Sequence, residues 1–213
     1  MNAREEILGR VRAALRTARI PAEPPPPPPS SPLESAPSHE WRARFAAELR
    51  ALGVALHEEA SDAAVAERVV ALIGTRRLLA WPDATLPPAV AARLAQLPAG
   101  QRLDLAAPRA ALATAEVGLT AVDAAIAETG SLLLIAAHDR PRTPSLLPPL
   151  HVAIVRGSDL VPTLRAALAK LRHALPSAAA LHRITGPSRT ADIELQLTLG
   201  VHGPGALAVV LGP

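Results

Sequence analysis

The sequence predicts an α/β protein with an open, largely parallel sheet and flanking helices. From residue 40 onward, helical patterns alternate with short apolar runs of strand length, which is typical of strands joined by helical crossovers. Apolar residues make up 49% of the chain but aromatic residues only 1%, so the core must be built from Leu, Val, Ile and Ala. Such side chains suit helices packed closely on a parallel sheet. The 213 residues allow one domain of roughly 150–200 residues plus a tail.

The chain is predicted to have three segments: an amphipathic helix over residues 1–20, a Pro-rich linker over 21–39 and an α/β domain over 40–213. Apolar residues recur at helical spacing in the first segment, and arginines gather towards its C-terminal end, where they complement the helix dipole. The run Pro24–Pro29 favours extended polyproline II at roughly 3.1 Å per residue. The helix either folds back on its own domain or docks on another subunit, and the sequence leaves both open.

Helix and strand signals then follow in order along the domain. In the first half, the pattern predicts a helix over 40–52 ended by Gly53, a strand over 54–56, a helix capped by Ser61 and ended by Gly74, a strand over 78–81, a helix over 87–96, a strand over 103–105 and a helix over 108–115. In the second half it predicts strands over 121–127 and 131–136 as a hairpin, a strand over 151–156, a helix over 160–174 opened by Ser158 or Asp159, and strands over 181–185 and 206–211. Ligands of open parallel sheets lie beyond the carboxyl ends of strands, so we expect a site in the loops after residues 127, 136 and 185.

Composition excludes several classes of function. The chain has no cysteine, so it cannot itself hold iron–sulfur clusters, disulfides or a thiol nucleophile. Its net charge is only +3, and its arginines are interspersed with acids and lack stacking aromatics, which argues against nucleic-acid binding. No signal-peptide core or membrane span is evident, so we predict a cytoplasmic protein. GxGxxG, P-loop and GxSxG motifs are missing.

The first group of candidate site residues is Glu128-Thr129-Gly130-Ser131, directly after an apolar strand. A carboxylate at a strand end can be partly desolvated, so Glu128 is a candidate general base or nucleophile. The alternative is a turn carboxylate bonded to backbone N–H groups.

A Pro-rich loop with Arg140 and Arg142 leads to His151 at a predicted strand start. The planar guanidinium suits carboxylate or phosphate, so both arginines are candidate anion clamps. His151 at a strand edge is more typical of a structural histidine. Together with His138 and His202 it shows no metal-ligand spacing, and we predict no metal site.

The most diverse segment is Gly186–Glu194, followed by Gly200-Val201-His202-Gly203-Pro204. Its hydroxyls and Asp192 either cap a following helix or bind a ligand. Capping does not explain Arg189, because a cation near a helix start opposes the dipole unless it faces an anion. The predicted anion-binding set is Thr129, Gly130, Arg140, Ser188, Arg189, Thr190, Asp192, His202 and Gly203.

These motifs carry a resemblance to a known family. Glu128–Ser131, Leu147-Pro148-Pro149-Leu150-His151-Val152, Gly186–Glu194 and Gly200–Pro204 together resemble the LUD domain, and the whole chain resembles the lactate-utilisation protein C (LutC) family. The resemblance is strong over residues 115–213 and general over 40–114. It implies a fold similar to the sugar-phosphate isomerases and CoA-transferases.

The resemblance also implies a function. The expected role is the cluster-free subunit of a bacterial complex that oxidises L-lactate to pyruvate, with a small anionic ligand on this chain. No cofactor is expected on the chain itself, and iron–sulfur clusters are expected on the partner subunits. The alternatives are a free-standing CoA-transferase-like or phosphosugar-isomerase-like enzyme that uses Glu128, and a purely structural adaptor. A homodimer is compatible with the fold class.

Overall fold

The computed structural model describes residues 3–18, 29–190, 198–200 and 202–213, and the chain divides into two compact units, residues 1–30 and 31–213. The first unit contains helix α1 (Ala3–Thr17), with acidic residues in its first turn and Arg16 in its last turn, as the helix dipole favours. Its apolar side chains Ile7, Val11 and Leu15 are 60%, 49% and 59% exposed. The second unit begins at Ser31 and so includes the last part of the segment predicted as a linker.

The second unit alternates helices and strands. Its helices are α2 (Ser38–Ala51), α3 (Asp62–Ile73), α4 (Pro88–Leu94), α5 (Arg109–Leu112), α6 (Thr143–Leu146) and α7 (Leu164–Leu171). Its strands are β1 (Ala55–Glu58), β2 (Leu78–Ala80), β3 (Val117–Ala121), β4 (Ala124–Ile126), β5 (Ser131–Ala136), β6 (Leu150–Val155), β7 (Leu160–Val161), β8 (Ala180–Ile184), β9 (Arg189–Thr190), β10 (Thr198–Leu199) and β11 (Ala206–Leu211). The predicted α/β class is confirmed.

A five-stranded sheet forms the centre of this unit. Its strand order is β1-β11-β6-β3-β2, and every pair in it is parallel. In the middle strand β6, His151 lies opposite Gly118 of β3 and Leu207 of β11. The predicted open, largely parallel sheet is therefore confirmed, and the first residues of its central strands lie side by side.

A second sheet has the order β7-β4-β5-β8. The hairpin predicted over 121–136 is present as the antiparallel pair β4 and β5, but the single strand predicted over 121–127 is wrong. The chain leaves the first sheet after Ala121 and enters the second at Ala124. Between them, the Asp123 carboxylate accepts the Ile135 N–H at 2.6 Å and an Arg140 N–H at 2.7 Å. The apolar run conceals this change of sheet because both strands are buried.

One apolar cluster joins the two sheets, since it contains Leu119 and Val152 of the first sheet and Leu132 and Leu134 of the second. The alternate residues of β5, Leu133 and Ile135, pack in another cluster with Ala167 and Leu171 of α7. Successive side chains of a strand point to opposite faces, so β5 is covered on both sides. This explains why its sequence is continuously apolar rather than alternating.

The helix predicted over 160–174 begins later in the structure than the sequence predicts. Leu160 and Val161 form a strand parallel to β4, and the following helix is capped by Thr163, whose hydroxyl accepts the Ala166 N–H at 3.2 Å. The predicted caps Ser158 and Asp159 lie instead in a short 3-10 turn.

The strand predicted over 103–105 is absent, and only Arg102 makes a bridge there, to Leu78. Arg189–Thr190 is a strand paired with β10 rather than a helix start, because its backbone bonds across to another segment. Among the described residues, no helix is long and apolar enough to cross a membrane.

Candidate functional site

A cavity of about 270 Å³ lies at the amino ends of β6 and β11. Four segments of the described chain line it: the first residues of those strands, helix α6, the end of β8 with the turn after it, and the turn before β11. The lining residues are Ser145, Leu146, His151, Arg183, Ile184, Thr185, Gly186, Pro187, Ser188, His202, Gly203, Pro204 and Leu207. The loop after residue 185 lines the cavity as expected, but the parallel sheet contributes the amino ends of its strands rather than their carboxyl ends.

Gly118 allows one wall of the cavity to form. A Cβ atom at this position would lie 1.7 Å from the Pro144 carbonyl oxygen, so α6 rests directly on the β3 backbone. Helix α6 thereby holds Ser145 beside the sheet, where its hydroxyl donates to the Arg142 carbonyl at 3.0 Å. The short helix was not predicted, since four residues give no periodicity.

His151 is 1% exposed. Its Nε2 lies 2.9 Å from the buried Thr120 hydroxyl, and its Nδ1 has no hydrogen-bond partner among the residues that the structure describes. Burial lowers the pKa of His151 from 6.5 to about 4, because the charged form loses its hydration. The imidazole is therefore neutral at neutral pH.

The Glu128–Ser131 segment reaches the cavity through hydroxyl groups. The buried Ser131 Oγ lies 2.7 Å from Thr129 Oγ1 and 2.8 Å from Thr185 Oγ1, and it accepts a bond from Arg183 Nε at 3.3 Å. Thr129 is thus linked to the lining residues Arg183 and Thr185 through two successive hydrogen bonds, with Ser131 between them.

Gly130 and Glu128 lie elsewhere. Gly130 has φ +62°, and a Cβ there would lie 3.0 Å from Glu48 Cβ, so this glycine packs against α2. Glu128 is half-buried and its backbone N–H donates to the Pro162 carbonyl at 3.1 Å. Neither residue lines the 270 Å³ cavity.

The two C-terminal motifs come together at the cavity. The Ser188 N–H donates to the Pro204 carbonyl at 2.9 Å, and the Gly200 N–H donates to the Ser188 carbonyl at 3.0 Å. These bonds place Ser188 beside His202 and Gly203 in the wall. Of the other predicted residues, Thr190 lies in β9, and Asp192 falls outside the described residues.

The three arginines predicted to hold an anion, Arg140, Arg142 and Arg189, do not line this cavity. Arg189 Nη2 donates to the Leu52 carbonyl at 2.8 Å, and Arg189 lines a different, mainly apolar cavity of about 460 Å³. Arg140 pairs with Asp123 at 2.7 Å and lies over the Trp81 ring at 5.4 Å. Its charge is thus matched by a neighbouring carboxylate.

Arg142 borders a third cavity, of about 520 Å³, which shares Leu146 with the first. Its Nη1 lies 3.4 Å from His182 Nε2. Burial, and to a smaller extent the Arg142 charge, lowers the pKa of His182.

The described residues that line the 270 Å³ cavity include Arg183, His151 and His202 but no Asp or Glu. The adjoining cavity adds Arg142 and again no carboxylate among its described residues. Guanidinium and hydroxyl groups without a competing carboxylate suit an anionic ligand. Within the described ranges, His, Cys, Asp and Glu form no group of three that could hold a metal.

Sequence reasoning missed Arg183, Thr185 and Ser145 and gave His151 a structural role. A signal existed for the first two, since Arg183 and Thr185 alternate in the predicted strand 181–185 and so share one face. The pairing of this strand with β5, which brings both to Ser131, was not readable from either segment alone.

Comparisons with known proteins show the family of this chain. The LUD domain matches residues 42–211. The chain belongs to the LUD domain family. Its curated relatives include Lactate utilization protein C of Exiguobacterium sp., which is 43% identical over 101 residues that cover 46% of this chain and 44% of that protein. Lactate utilization protein C of Bacillus subtilis is 39% identical over 101 residues, covering 46% and 42% respectively.

The chain thus matches less than half the length of these relatives. Among solved structures, that of a DUF162 family protein from Deinococcus radiodurans is similar to this LUD domain, with a TM-score of 0.66 and 25% identity. The similarity covers 84% of this chain and 99% of that one, so the fold as a whole is shared.

Proposed function

We propose that this LUD domain protein is the cluster-free subunit of a cytoplasmic bacterial complex that oxidises L-lactate to pyruvate. The observation that carries the proposal is its similarity to relatives named Lactate utilization protein C. Because the chain has no cysteine, the iron–sulfur clusters of such a complex belong to partner subunits. The exposed apolar residues Ile7, Val11 and Leu15 of α1 suit docking on such a partner.

The cavity at the amino ends of β6 and β11 supplies the ligand site of this proposal. Its volume of about 270 Å³ is below the roughly 300–1,000 Å³ of sites for drug-sized ligands, so a small molecule is favoured. Its described wall carries Arg183 and several hydroxyl groups but no carboxylate, which favours an anion. A 2-hydroxy acid meets both conditions. The alternative reaction based on Glu128 gains no support, because Glu128 does not line this cavity.

The proposal is tested in the host by deleting the gene and measuring growth on L-lactate as sole carbon source. Complementing variants are Arg183→Gln, in the cavity wall, and Arg189→Gln, at the other cavity, each at verified equal protein level. We expect the wild type and Arg189→Gln to restore growth and Arg183→Gln to fail. Undisturbed growth of the deletion strain, with no second lactate oxidase present, would refute the proposed role.

The same pair of variants tests ligand binding in vitro. Titration calorimetry with L-lactate on the purified chain should show that Arg183→Gln weakens binding by about 1.5–3 kcal/mol, the scale of a hydrogen bond to a charged group. The Arg189→Gln isotherm should match that of the wild type. The reverse result would move the anion site to the cavity beside Leu52.

A further inference from the structure

His151 carries an unused hydrogen-bonding atom at the wall of the cavity. Nε2 is held by the Thr120 hydroxyl, whereas Nδ1 is buried without a partner among the described residues. A buried polar atom without a hydrogen-bond partner is energetically unfavourable. His151 is buried, but it is also one of the residues that line the cavity, so a ligand that reaches this wall can supply the missing partner.

The chemistry of that partner follows from the two tautomers of a neutral imidazole. If Nε2–H donates to Thr120, Nδ1 is a bare acceptor; if the Thr120 hydroxyl donates to Nε2, Nδ1 carries the hydrogen and donates. A hydroxyl group both donates and accepts, so it satisfies Nδ1 in either case. A carboxylate or ketone oxygen accepts only, and it satisfies one tautomer.

The remaining polar groups of the wall suit the other end of such a ligand. Arg183 and the hydroxyls of Thr185 and Ser188 belong to one continuous segment of the lining, and a guanidinium or a hydroxyl donates well to a carboxylate. A neutral imidazole adds no charge to attract that carboxylate. The hydroxyl and carboxylate of one small ligand therefore have different partners in this cavity.

We propose that His151 recognises the hydroxyl group of the bound ligand and makes the cavity selective for 2-hydroxy acids over carboxylic acids that lack the hydroxyl. The proposal rests on the proposed function for the anionic class of the ligand. It assigns to His151 the discrimination within that class, which a purely structural histidine does not provide.

The test compares the dissociation constants of L-lactate and propionate, which differ by one hydroxyl group. In the full-length wild type we expect L-lactate to bind about tenfold more tightly, the upper range of one neutral hydrogen bond. In His151→Phe, which keeps a ring in the space, the preference should fall to about one while propionate affinity stays unchanged. His182→Phe, outside the lining of this cavity, is the matched control and should keep the preference.

A second variant guards against misfolding. His151→Phe leaves the Thr120 hydroxyl unpaired, so the double variant Thr120→Val with His151→Phe removes both polar partners together, which is less disruptive. Equal binding of both acids by the wild type, or a tenfold preference that survives in the folded His151 variants, would overturn the inference and leave the anion site standing. Failure of the wild type to bind either acid would remove the proposed ligand and the inference with it.

Discussion

Single residues decide the shape of the cavity, and Gly118 is the clearest case. A methyl group added there meets the Pro144 backbone at 1.7 Å, and α6 must move. We expect Gly118→Ala to lower the free energy of unfolding by about 1–3 kcal/mol, as overpacking does, and to weaken ligand binding because Ser145 moves with the helix. Urea unfolding followed by circular dichroism measures the first effect.

The matched control for this change is Gly9→Ala in α1. A Cβ at Gly9 has no atom within 4 Å, and alanine favours helix. This variant should leave the midpoint of the urea unfolding transition of residues 31–213 unchanged. Equal stability of Gly118→Ala and the wild type would contradict the close packing of α6 on β3.

His151 also gives the protein a dependence on pH. Its pKa is about 4 in the folded state against about 6.5 unfolded, so between these values the unfolded chain binds more protons than the folded one. Stability is therefore unaffected by His151 above pH 6.5 and falls as the pH drops towards 4. At pH 5 the loss from this group is about 2 kcal/mol.

The measurement is the free energy of unfolding at pH 7.5 and pH 5 for the wild type and His151→Phe. Carboxylates and other histidines titrate in both proteins, so only the difference between the two pH effects reports on His151. We expect the wild type to lose about 2 kcal/mol more than the variant. Identical losses would show that His151 is already solvated in the folded state.

At the scale of residues, the sequence predicted Ser188, His202 and Gly203, which line the cavity, because Gly-Pro turns and polar side chains are local signals. It could not predict His151 or Arg183 as part of it. Their place depends on which strands are neighbours, and that is decided by packing between distant segments.

At the scale of elements, the start of α7 has one capping residue in the structure, Thr163, and another predicted from the sequence, Ser158. Thr163 caps the helix through the Ala166 N–H, and its hydroxyl donates to Glu34 Oε1 at 2.8 Å. We expect Thr163→Ala to cost about 1–2 kcal/mol of unfolding free energy, the range for losing a cap. Ser158→Ala removes the cap that the sequence predicted and should cost nothing measurable. Thermal or urea unfolding of both variants measures these two losses of stability. A larger loss for Ser158→Ala than for Thr163→Ala would support the helix start that the sequence predicted.

The strands and helices with strong local signals were predicted correctly. Ser61 and Gly74 bound α3 as their cap preferences indicate, and 206–211 matches β11. The misplaced strand at 121–127 and the late start of α7 share one cause. Both sit where the chain passes between the sheets, and pairing there overrides an unbroken apolar pattern.

For the whole molecule, the shared core predicts one cooperative unfolding transition of residues 31–213. Leu119 in the parallel sheet and Leu132 in the second sheet are both fully buried in one cluster. We expect Leu119→Ala and Leu132→Ala each to cost about 2–5 kcal/mol and to shift the same transition. Trp81, buried in that cluster, reports it by fluorescence, and circular dichroism should coincide. Separate transitions would indicate that each sheet folds by itself.

The fold class was predictable at this scale because the alternation of helix and strand signals is recognisable even when the boundaries of single elements are misplaced. The division into two sheets was not, since it depends on strand pairing rather than on composition.

The cavity begins on β6 and β11, which are interior strands of the five-stranded sheet. Amides of interior strands exchange their hydrogens with solvent mainly through global opening, whereas surface turns exchange through small local openings. Ligand binding should therefore slow exchange in the turns at 186–188 and 202–204 by up to the same factor by which it stabilises the whole fold, because neither the opened turns nor the unfolded chain bind the ligand. The first residues of β6 would follow global unfolding alone. The site thus has a rigid floor that holds His151 and a rim of turns that opens more readily.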